Sequence, residues 1–259
     1  MTRILNVYAL PNLVIPKELV GDTAVVIDVL RASTTIVYAM DAGVLEIAPC
    51  LGVSDALAMA SQFPDDHRIL GGERDGERID GFDLGNSPED YSPERVGGKT
   101  LVFTTTNGTR AMFRAETAAE VLIAAFVNVS AVVQELIRRD RIHIICAGTK
   151  GQISDDDVLL AGLLVERLQR QSGISFQQNA QAVTAREFWL HSFALPKGLG
   201  AEPLEPAVLN ERLRTSRGAQ ELLSLGLGDD ILAAAQIDRF GRVPRFDPST
   251  HRIRMENAG

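Results

Sequence analysis

The stretch TAVVIDVLRASTTIVYAMDAG, residues 23–43, decides the fold. It begins with a nearly unbroken apolar run, which is typical of a strand that is covered on both faces. From Ser33 onward the pattern becomes helical and ends at Gly43, a residue type that commonly terminates helices. A buried strand followed directly by a helix is the repeating unit of α/β proteins with parallel sheets.

The alternation of strand and helix continues on both sides of this stretch. Apolar runs predict further strands at residues 4–10, 44–50, 67–72, 99–104, 119–126 and 141–148. Helical patterns lie between or after them, at residues 54–63, 108–116, 130–139 and 154–171. We therefore predict an α/β fold with layered helices around a mostly parallel or mixed sheet.

After about residue 172 the pattern changes to consecutive helical segments without strands between them. Only the residues around His251 to Arg254 again favour a strand. No low-complexity segment or long linker interrupts the chain. We therefore predict one domain over residues 1–259, with a helical subregion at residues 173–240.

Composition and charge exclude several classes of partner. The chain of 259 residues has a formal net charge of −8, which argues against non-specific binding to nucleic acid or to an anionic membrane. The longest uncharged stretch that could suggest a membrane span, residues 121–133, is too short to cross a bilayer and contains Asn128 and Ser130. We expect a cytoplasmic protein with no nucleic-acid or membrane partner.

The cysteines and histidines do not predict a metal or disulfide framework. Cys50 and Cys146 each end an apolar run, so we expect two buried thiols in a reducing compartment. The four histidines are scattered and form no zinc spacing. The Gly-x-Ser-x-Gly motif is absent, and no Gly-x-Gly-x-x-Gly motif follows a strand, which disfavours acyl transfer and dinucleotide binding.

A first candidate site lies in LVFTTTNGTRAM, residues 101–112. Here a strand ends in polar residues and a helix begins, so free backbone N–H groups and the helix dipole could hold an anion. The turn would supply further donors from Thr105, Thr106, Asn107, Gly108, Thr109 and Arg110. Ordinary turn chemistry explains the same residues, because no known phosphate-loop spacing is present.

A second candidate is the end of the strand in residues 23–43. Asp28 could bind Mg²⁺, position a water molecule or act as a nucleophile, and Arg31 follows three residues later. Leu30 occupies the position where phosphatases with the Asp-x-Asp motif carry their second acid. An Asp28–Arg31 ion pair that stiffens a turn is the alternative interpretation.

Two further loops carry charged residues. Between residues 71 and 94, Glu73, Asp80 and Asp83 are hard oxygen ligands suited to Mg²⁺, although acids in loops are most often solvated. In the segment that follows the strand at 141–148, Lys150 could reach an anion. The helix dipole explains the acids at 155–157, and a metal role for Asp156 or Asp157 is the minority interpretation.

Three of these loops share one pattern, in which an apolar strand ends in small polar residues that begin a helix. In open parallel sheets such loops gather at the carboxyl edge, where ligands bind. The pattern therefore predicts that the loops at residues 27–35, 103–111 and 146–157 are neighbours. The usual alternation of strands, loops and helices in α/β proteins would produce the same pattern without a shared site.

Taken together, VVIDVLRASTTIV, LGGERDGERIDGFDLGNSPEDY, KTLVFTTTNGTRAM and CAGTKGQISDDDVLLAG resemble the 2-phosphosulfolactate phosphatase family. The segment SRGAQELLSLGLGDDILAAAQID and the later VPRF are also similar to that family, so the resemblance covers most of the chain. It implies an α/β fold and an Mg²⁺-dependent hydrolase that converts 2-phospho-3-sulfolactate, a small anionic phosphorylated substrate, to sulfolactate and phosphate.

The resemblance and the loop chemistry together give a set of expected site residues. Asp28 and Arg31 are the expected catalytic residues, and Asp28, Glu73 and Asp83 are the expected Mg²⁺ ligands. The expected substrate-binding residues are Thr34, Asn86, Thr105, Thr106, Asn107, Gly108, Thr109, Arg110 and Lys150.

Other hypotheses stay open at this point. Asp28 could form an aspartyl-phosphate while acting on a different small phosphoester, or the protein could bind phosphate or sulfonate without catalysis. The helical C-terminal part could serve mainly as the surface of a homodimer.

Overall fold

The computed structural model describes residues 3–172, 175–193 and 204–255, which have an α/β fold. The strands in these residues are β1 (Arg3–Tyr8), β2 (Thr23–Ile27), β3 (Glu46–Pro49), β4 (Arg68–Arg74), β5 (Glu77–Arg78), β6 (Thr100–Thr104), β7 (Glu120–Ala124), β8 (Arg141–Cys146), β9 (Phe176–Gln178), β10 (Pro244–Asp247) and β11 (Arg252–Met255). The helices are α1 (Ala32–Asp41), α2 (Val53–Ala60), α3 (Pro93–Val96), α4 (Gly108–Arg114), α5 (Val129–Leu136), α6 (Asp155–Ser172), α7 (Ala180–Ser192), α8 (Pro206–Leu213), α9 (Arg217–Ser224) and α10 (Gly228–Ala234).

All these strands join one mixed sheet in the order β5-β4-β6-β3-β11-β10-β7-β2-β8-β1-β9. One group of parallel strands contains β4, β6 and β3, and a second contains β7, β2, β8, β1 and β9. The antiparallel pair β10–β11 lies between the two groups and pairs with both in the antiparallel sense. The expectation of a mostly parallel or mixed sheet is confirmed as a mixed sheet.

The pairings β3–β11, β11–β10 and β10–β7 are all antiparallel, so in a flat sheet the two parallel groups would run in opposite directions. Neighbouring strands rotate by roughly 20–25°, so five steps from β6 to β2 rotate one group against the other by on the order of 100°. This rotation can bring the carboxyl ends of both groups together. Within the second group Ile27 lies opposite both Ala124 and Cys146, so β7, β2 and β8 end at one level.

The core explains why β2 is apolar along its whole length. Ala24 and Val26 pack into a cluster that includes side chains of α1, α4, β3 and β6. Val25 and Ile27 point to the opposite face, into a cluster with α5, α6 and the C-terminal helices. Every residue of β2 is buried, as a strand covered on both faces requires.

Three elements differ from the sequence-based expectation. The predicted helical subregion, of which residues 173–174 and 194–203 lie outside the described part, contains the short strand β9 at the sheet edge. The predicted C-terminal strand is confirmed as β11, and β10 was missed. The loop after residue 70 is partly regular, because β4 extends to Arg74 and β5 pairs with it.

Cys50 and Cys146 are both buried free thiols, as expected. Burial raises the pKa of Cys50 to about 11, and it also raises the pKa of Cys146 above its ordinary value. Both thiols are therefore neutral at physiological pH. Among the helices of the described residues, none has the length and apolarity that crossing a bilayer demands.

The contact between α6 and α7 gives a test of the packing. A Cβ atom at Gly162 would lie 2.1 Å from the Ala185 carbonyl oxygen, so we expect Gly162→Ala to lower the free energy of unfolding by roughly 1–3 kcal/mol. Alanine is otherwise the better helix former by about 1 kcal/mol. Urea denaturation measures the difference.

Gly241→Ala is the matched control, because a Cβ atom there meets nothing within 4 Å. Its free energy of unfolding should stay within about 0.5 kcal/mol of the wild type. A Gly162→Ala protein as stable as the wild type would contradict the close approach of the two helices.

Candidate active site

A cavity lies where β2, β4 and β6 end and where α1 and α4 begin. Asp28, Glu73 and Asn107 all line it, and so do side chains from the loop after β8 and from α9. The charged residues of the lining are Asp28, Arg31, Glu73, Asp75, Lys150 and Glu221. Acids therefore outnumber bases in this lining, which is unfavourable for an anion unless a cation is also bound.

Asp28 is held at the start of α1 by its neighbours in sequence. Its backbone N–H donates to Ser33 Oγ (2.9 Å), and its Oδ1 accepts from the Ala32 N–H (3.3 Å). A Cβ atom at Gly108 would lie 2.7 Å from Asp28 Oδ2, so a larger residue there would collide with the carboxylate. The first turns of α1 and α4 thus meet at Asp28.

Two further buried acids lie behind Asp28. Asp157 Oδ1 accepts from the Val29 N–H (2.8 Å) and its Oδ2 accepts from the Gly148 N–H (2.9 Å). Asp156 accepts a hydrogen bond from Ser154 Oγ. The backbone contacts of Asp157 join the loop after β2 to the loop after β8.

Burial and like charge act together on these acids. Burial, followed by the negative charge of Asp156, raises the pKa of Asp28 to about 7. Burial likewise raises the pKa values of Asp156 and Asp157, and for Asp157 the charges of Asp156 and Asp28 add to the shift. A carboxyl group with a pKa near neutrality can exchange protons at physiological pH.

Arg31 is only 4% exposed and lines the same cavity. Its Nη1 donates to Asp230 Oδ2 (2.6 Å) and, more weakly, to Ser87 Oγ (3.4 Å). Its Nη2 donates to the Gly76 carbonyl oxygen (2.7 Å). The alternative that Arg31 pairs mainly with Asp28 is therefore wrong, because its carboxylate partner belongs to α10.

Glu73 joins the end of β4 to the turn before α4. Its Oε1 accepts from the Thr106 N–H (2.7 Å), and its Oε2 accepts from the Gly76 N–H (2.8 Å) and from Thr106 Oγ1 (3.2 Å). These bonds hold the carboxylate beside the cavity. They also place the backbone of the threonine-rich turn against the end of a different strand.

Some polar groups around the turn before α4 form hydrogen bonds with one another. Thr105 Oγ1 accepts from the Thr109 N–H (3.3 Å), and Thr109 Oγ1 donates to the Thr105 carbonyl oxygen (2.9 Å). Asn107 Oδ1 accepts from the Lys150 N–H (3.2 Å). The three loops predicted to be neighbours are therefore in contact, and this expectation is confirmed.

Lys150 lies at the side of the cavity between two acids. Its Nζ is 3.2 Å from Glu221 Oε2 and 3.5 Å from Asp75 Oδ1. The contact with Glu221 is the largest cause of its raised pKa. Lys150 remains a cation at all physiological pH values, and both of its acidic partners come from other segments of the chain.

Asn86 carries a buried side-chain oxygen that has no partner in the part of the chain that the structure describes. The residue is 4% exposed, and its Oδ1 accepts no hydrogen bond from the described residues. Its backbone oxygen accepts from Thr35 Oγ1 (2.8 Å), which fixes the residue against α1. An unsatisfied buried acceptor that lines a cavity is suited to a ligand, a water molecule or a metal ion.

The structure separates the expected site residues into two groups. Those that line the cavity are Asp28, Arg31, Glu73, Asn86, Thr106, Asn107 and Lys150, with Gly108 packed against Asp28. Thr34, Thr105 and Thr109 are buried, and their hydroxyl groups bond to nearby backbone instead. Arg110 is exposed and is not part of the lining.

The expected grouping of Asp28, Glu73 and Asp83 does not form. Asp83 Oδ2 accepts from the Leu70 N–H (2.8 Å), and the residue lines a neighbouring cavity rather than that of Asp28. Asp80 is exposed. In the described part of the chain, no three acidic, histidine or cysteine side chains are arranged to hold a metal ion between them.

The sequence reasoning missed the acids that come from the C-terminal helices. Glu221 of α9 and Asp230 of α10 contact Lys150 and Arg31, although about 70 and 200 residues separate the partners. Asp230 lies in the first turn of a helix, where the helix dipole by itself explains an acid. No local signal in the sequence distinguishes it from the exposed Asp229 beside it.

Comparison with known proteins shows which family the chain resembles. A family model described as 2-phosphosulpholactate phosphatase matches residues 9–248. A probable 2-phosphosulfolactate phosphatase of Caldanaerobacter subterraneus subsp. tengcongensis is 36% identical over 243 residues, covering 93% of this chain and 95% of the relative. Proteins with the same description from Synechococcus sp. and Deinococcus radiodurans are each 38% identical, covering 90% of this chain and 92% and 91% of theirs.

The raised pKa of Asp28 predicts how stability depends on pH. In the folded protein the pKa is about 7 instead of 3.8, so between these values the folded state binds a proton that the unfolded state releases. The contribution of Asp28 therefore lowers stability as pH rises through this window. Asp28→Asn removes the effect, so relative to the wild type it should become more stable from about pH 5 to about pH 8.

Urea denaturation in the presence of EDTA measures this difference without interference from divalent ions. Asp41→Asn, which changes an exposed acid at the other end of α1, is the matched control. A constant or opposite pH trend for Asp28→Asn would contradict the buried, protonatable state of Asp28.

Proposed function

Because the chain belongs to the 2-phosphosulfolactate phosphatase family, and is thus a phosphoric monoester hydrolase, we propose that it hydrolyses 2-phospho-3-sulfolactate to sulfolactate and phosphate. The alternative substrate is another small, acidic phosphoester similar to 2-phospho-3-sulfolactate. The observation that carries the proposal is that Asp28, Arg31, Glu73 and the Thr106–Asn107 turn line one cavity.

The charge of the cavity supports dependence on a divalent cation. Such a substrate carries phosphate, sulfonate and carboxylate groups, whereas the lining has four acidic and two basic side chains. Both basic side chains are already paired with carboxylates. A cation would offset this repulsion, and Mg²⁺ is the one that the family resemblance implies.

The oxygen donors of the cavity fit Mg²⁺. This ion is usually held by one or two protein carboxylates together with water and substrate phosphate, so a larger cluster of acids is not needed. Asp28 and Glu73 would supply carboxylate oxygens, and Asn86 Oδ1 is a buried acceptor without a partner among the described residues. When bound, Mg²⁺ would neutralise charge on the phosphoryl oxygens.

The protein groups would bind and orient the phosphate. Arg31, which lines the cavity, would donate to the phosphoryl oxygens. Lys150 would attract a second anionic group of the substrate at the other side of the cavity. Held in this way, the phosphorus atom would be presented in line with the attacking group.

Asp28 is the residue proposed to act on the attacking water molecule. Without a bound cation the pKa of Asp28 is about 7, and a bound cation would lower it, so the carboxylate would be ionised near neutral pH and could accept a proton. Direct attack by Asp28 on the phosphorus atom is the competing route. Mass spectrometry after rapid quenching would detect the resulting aspartyl-phosphate and would assign the nucleophile to Asp28 within the same site.

Two substitutions test the site directly. We expect Asp28→Asn to reduce phosphate release by about 10²–10⁴-fold through loss of proton transfer. Arg31→Ala should reduce it by about 10²–10³-fold, since a charged donor to the phosphate is lost. The assay is phosphate release from 2-phospho-3-sulfolactate with Mg²⁺ and with EDTA, and we expect activity only with Mg²⁺.

Asp41→Asn and Arg138→Ala are matched controls, because both residues are exposed and neither belongs to the cavity lining. Near-wild-type turnover by both site variants would eliminate this cavity as the active site. Substrate binding without phosphate release, with any divalent ion, would instead identify a non-catalytic binding protein.

The exposed position of Arg110 generates a separate prediction. Because Arg110 is exposed and lies outside the lining, we expect Arg110→Ala to change kcat/KM by less than about threefold, as for a screened surface charge. The measurement is steady-state kinetics beside Arg31→Ala. A loss equal to that of Arg31→Ala would mean that Arg110 reaches the substrate after all.

A further inference from the structure

Arg31 is fixed by a buried ion pair with the C-terminal helical part of the chain. Arg31 and Asp230 are 4% and 6% exposed, and Arg31 Nη1 lies 2.6 Å from Asp230 Oδ2. Ser87 Oγ donates to the same carboxylate oxygen (2.9 Å) and also contacts Arg31 Nη1. The three side chains therefore form a closed triangle of contacts.

The hydrogen bonds of Arg31 are divided unequally over its guanidinium group. Nη1 donates to Asp230 and Ser87, and Nη2 donates once, to the Gly76 carbonyl oxygen. A guanidinium group has five N–H donors. The Nε–H and one Nη2–H therefore have no acceptor among the described residues, although Arg31 lines the cavity.

This division suits a planar group that must bind an anion in one orientation. Two adjacent N–H donors can bind two phosphoryl oxygens at once, which is how arginine recognises phosphate. The opposite end of the guanidinium group is held by the Asp230 carboxylate, whose negative charge also offsets the buried positive charge of Arg31. Without that carboxylate, the buried charge would be unpaired and the side chain would lose its fixed orientation.

We infer that Asp230 is a positioning residue, which holds Arg31 so that its two remaining donors face the phosphoryl group of the substrate. The inference rests on the proposed function for the identity of the ligand. It assigns a role in the site to α10, an element that begins about 200 residues after Arg31 in the chain. Asp230 itself does not line the cavity and contacts no reacting atom.

The test begins with Asp230→Asn, which keeps the size of the side chain and removes its charge. Arg31 keeps its own charge, so substrate attraction persists while its orientation is lost. We expect kcat to fall by about 10–100-fold, with KM changed by less than about threefold, since small misplacements of this kind can cost about 10² in rate. Unchanged kcat would overturn the inference.

The matched control is Asp229→Asn, the neighbouring acid of the same helix turn, which is exposed. It should keep the wild-type kcat and KM. A second variant, Ser87→Ala, removes one side of the triangle and leaves the ion pair, so its loss of kcat should be smaller than that of Asp230→Asn. A larger loss for Ser87→Ala would contradict the assignment to Asp230.

A double-mutant cycle separates positioning from general structural damage. If Asp230 acts only through Arg31, then adding Asp230→Asn to Arg31→Lys should cost less than about threefold further activity, because coupled residues are not additive. Losses that multiply in the double variant would show that Asp230 acts by another route and would overturn the inference. Circular dichroism and thermal unfolding of each variant confirm that the compared proteins are folded.

An NMR measurement decides the inference without any enzyme activity. The Nη1–H resonance of Arg31, which the hydrogen bonds to Asp230 and Ser87 protect from exchange with water, is assigned by its absence in Arg31→Lys and should be sharp in the wild type and in Asp229→Asn. It should broaden or disappear in Asp230→Asn, and an unchanged resonance would overturn the inference. A wild-type protein that hydrolyses no phosphoester would refute the proposed function alone, because the resonance would still report on the ion pair.

Discussion

The contact between the first turns of α1 and α4 is the constraint on which the candidate site depends. Asp28 follows β2 of one parallel group, and Gly108 begins α4 after β6 of the other group. The two residues are so close that a side chain at position 108 would collide with Asp28. Glu73 strengthens this junction, because it accepts hydrogen bonds from the turn that precedes α4. The cavity therefore exists only when the twisted sheet brings two opposed groups of parallel strands together at their carboxyl ends.

The same junction concentrates negative charge in a buried place. Asp28, Asp156 and Asp157 are all buried, and burial raises the pKa of each. Asp157 compensates part of this cost through two backbone N–H groups, which also join the loops after β2 and β8. Buried like charges weaken a fold, and their presence at a cavity is typical of sites where stability is exchanged for chemistry.

The C-terminal helices form one wall of the site in addition to covering the sheet. Gly218 and Glu221 of α9 line the cavity, and a Cβ atom at Gly218 would lie 3.5 Å from both Asp156 Oδ2 and Thr149 Oγ1. Asp230 of α10 pairs with Arg31. These contacts link the helical part of the chain to the site, whereas a role for it as a homodimer surface stays a prediction.

The sequence alone determined the α/β class and the buried β2, because both follow from local periodicity. It predicted the contact between the three polar loops, and it placed Asp28, Arg31 and Glu73 among the candidate site residues on the basis of residue type. It did not distinguish Thr106 and Asn107, which line the cavity, from Thr105, Thr109 and Arg110, which do not. Nor did it pair Arg31 with Asp230 or separate Asp83 from Asp28. Only the tertiary structure decided these points, since they depend on which direction a side chain faces after a turn and on contacts between segments far apart in the chain.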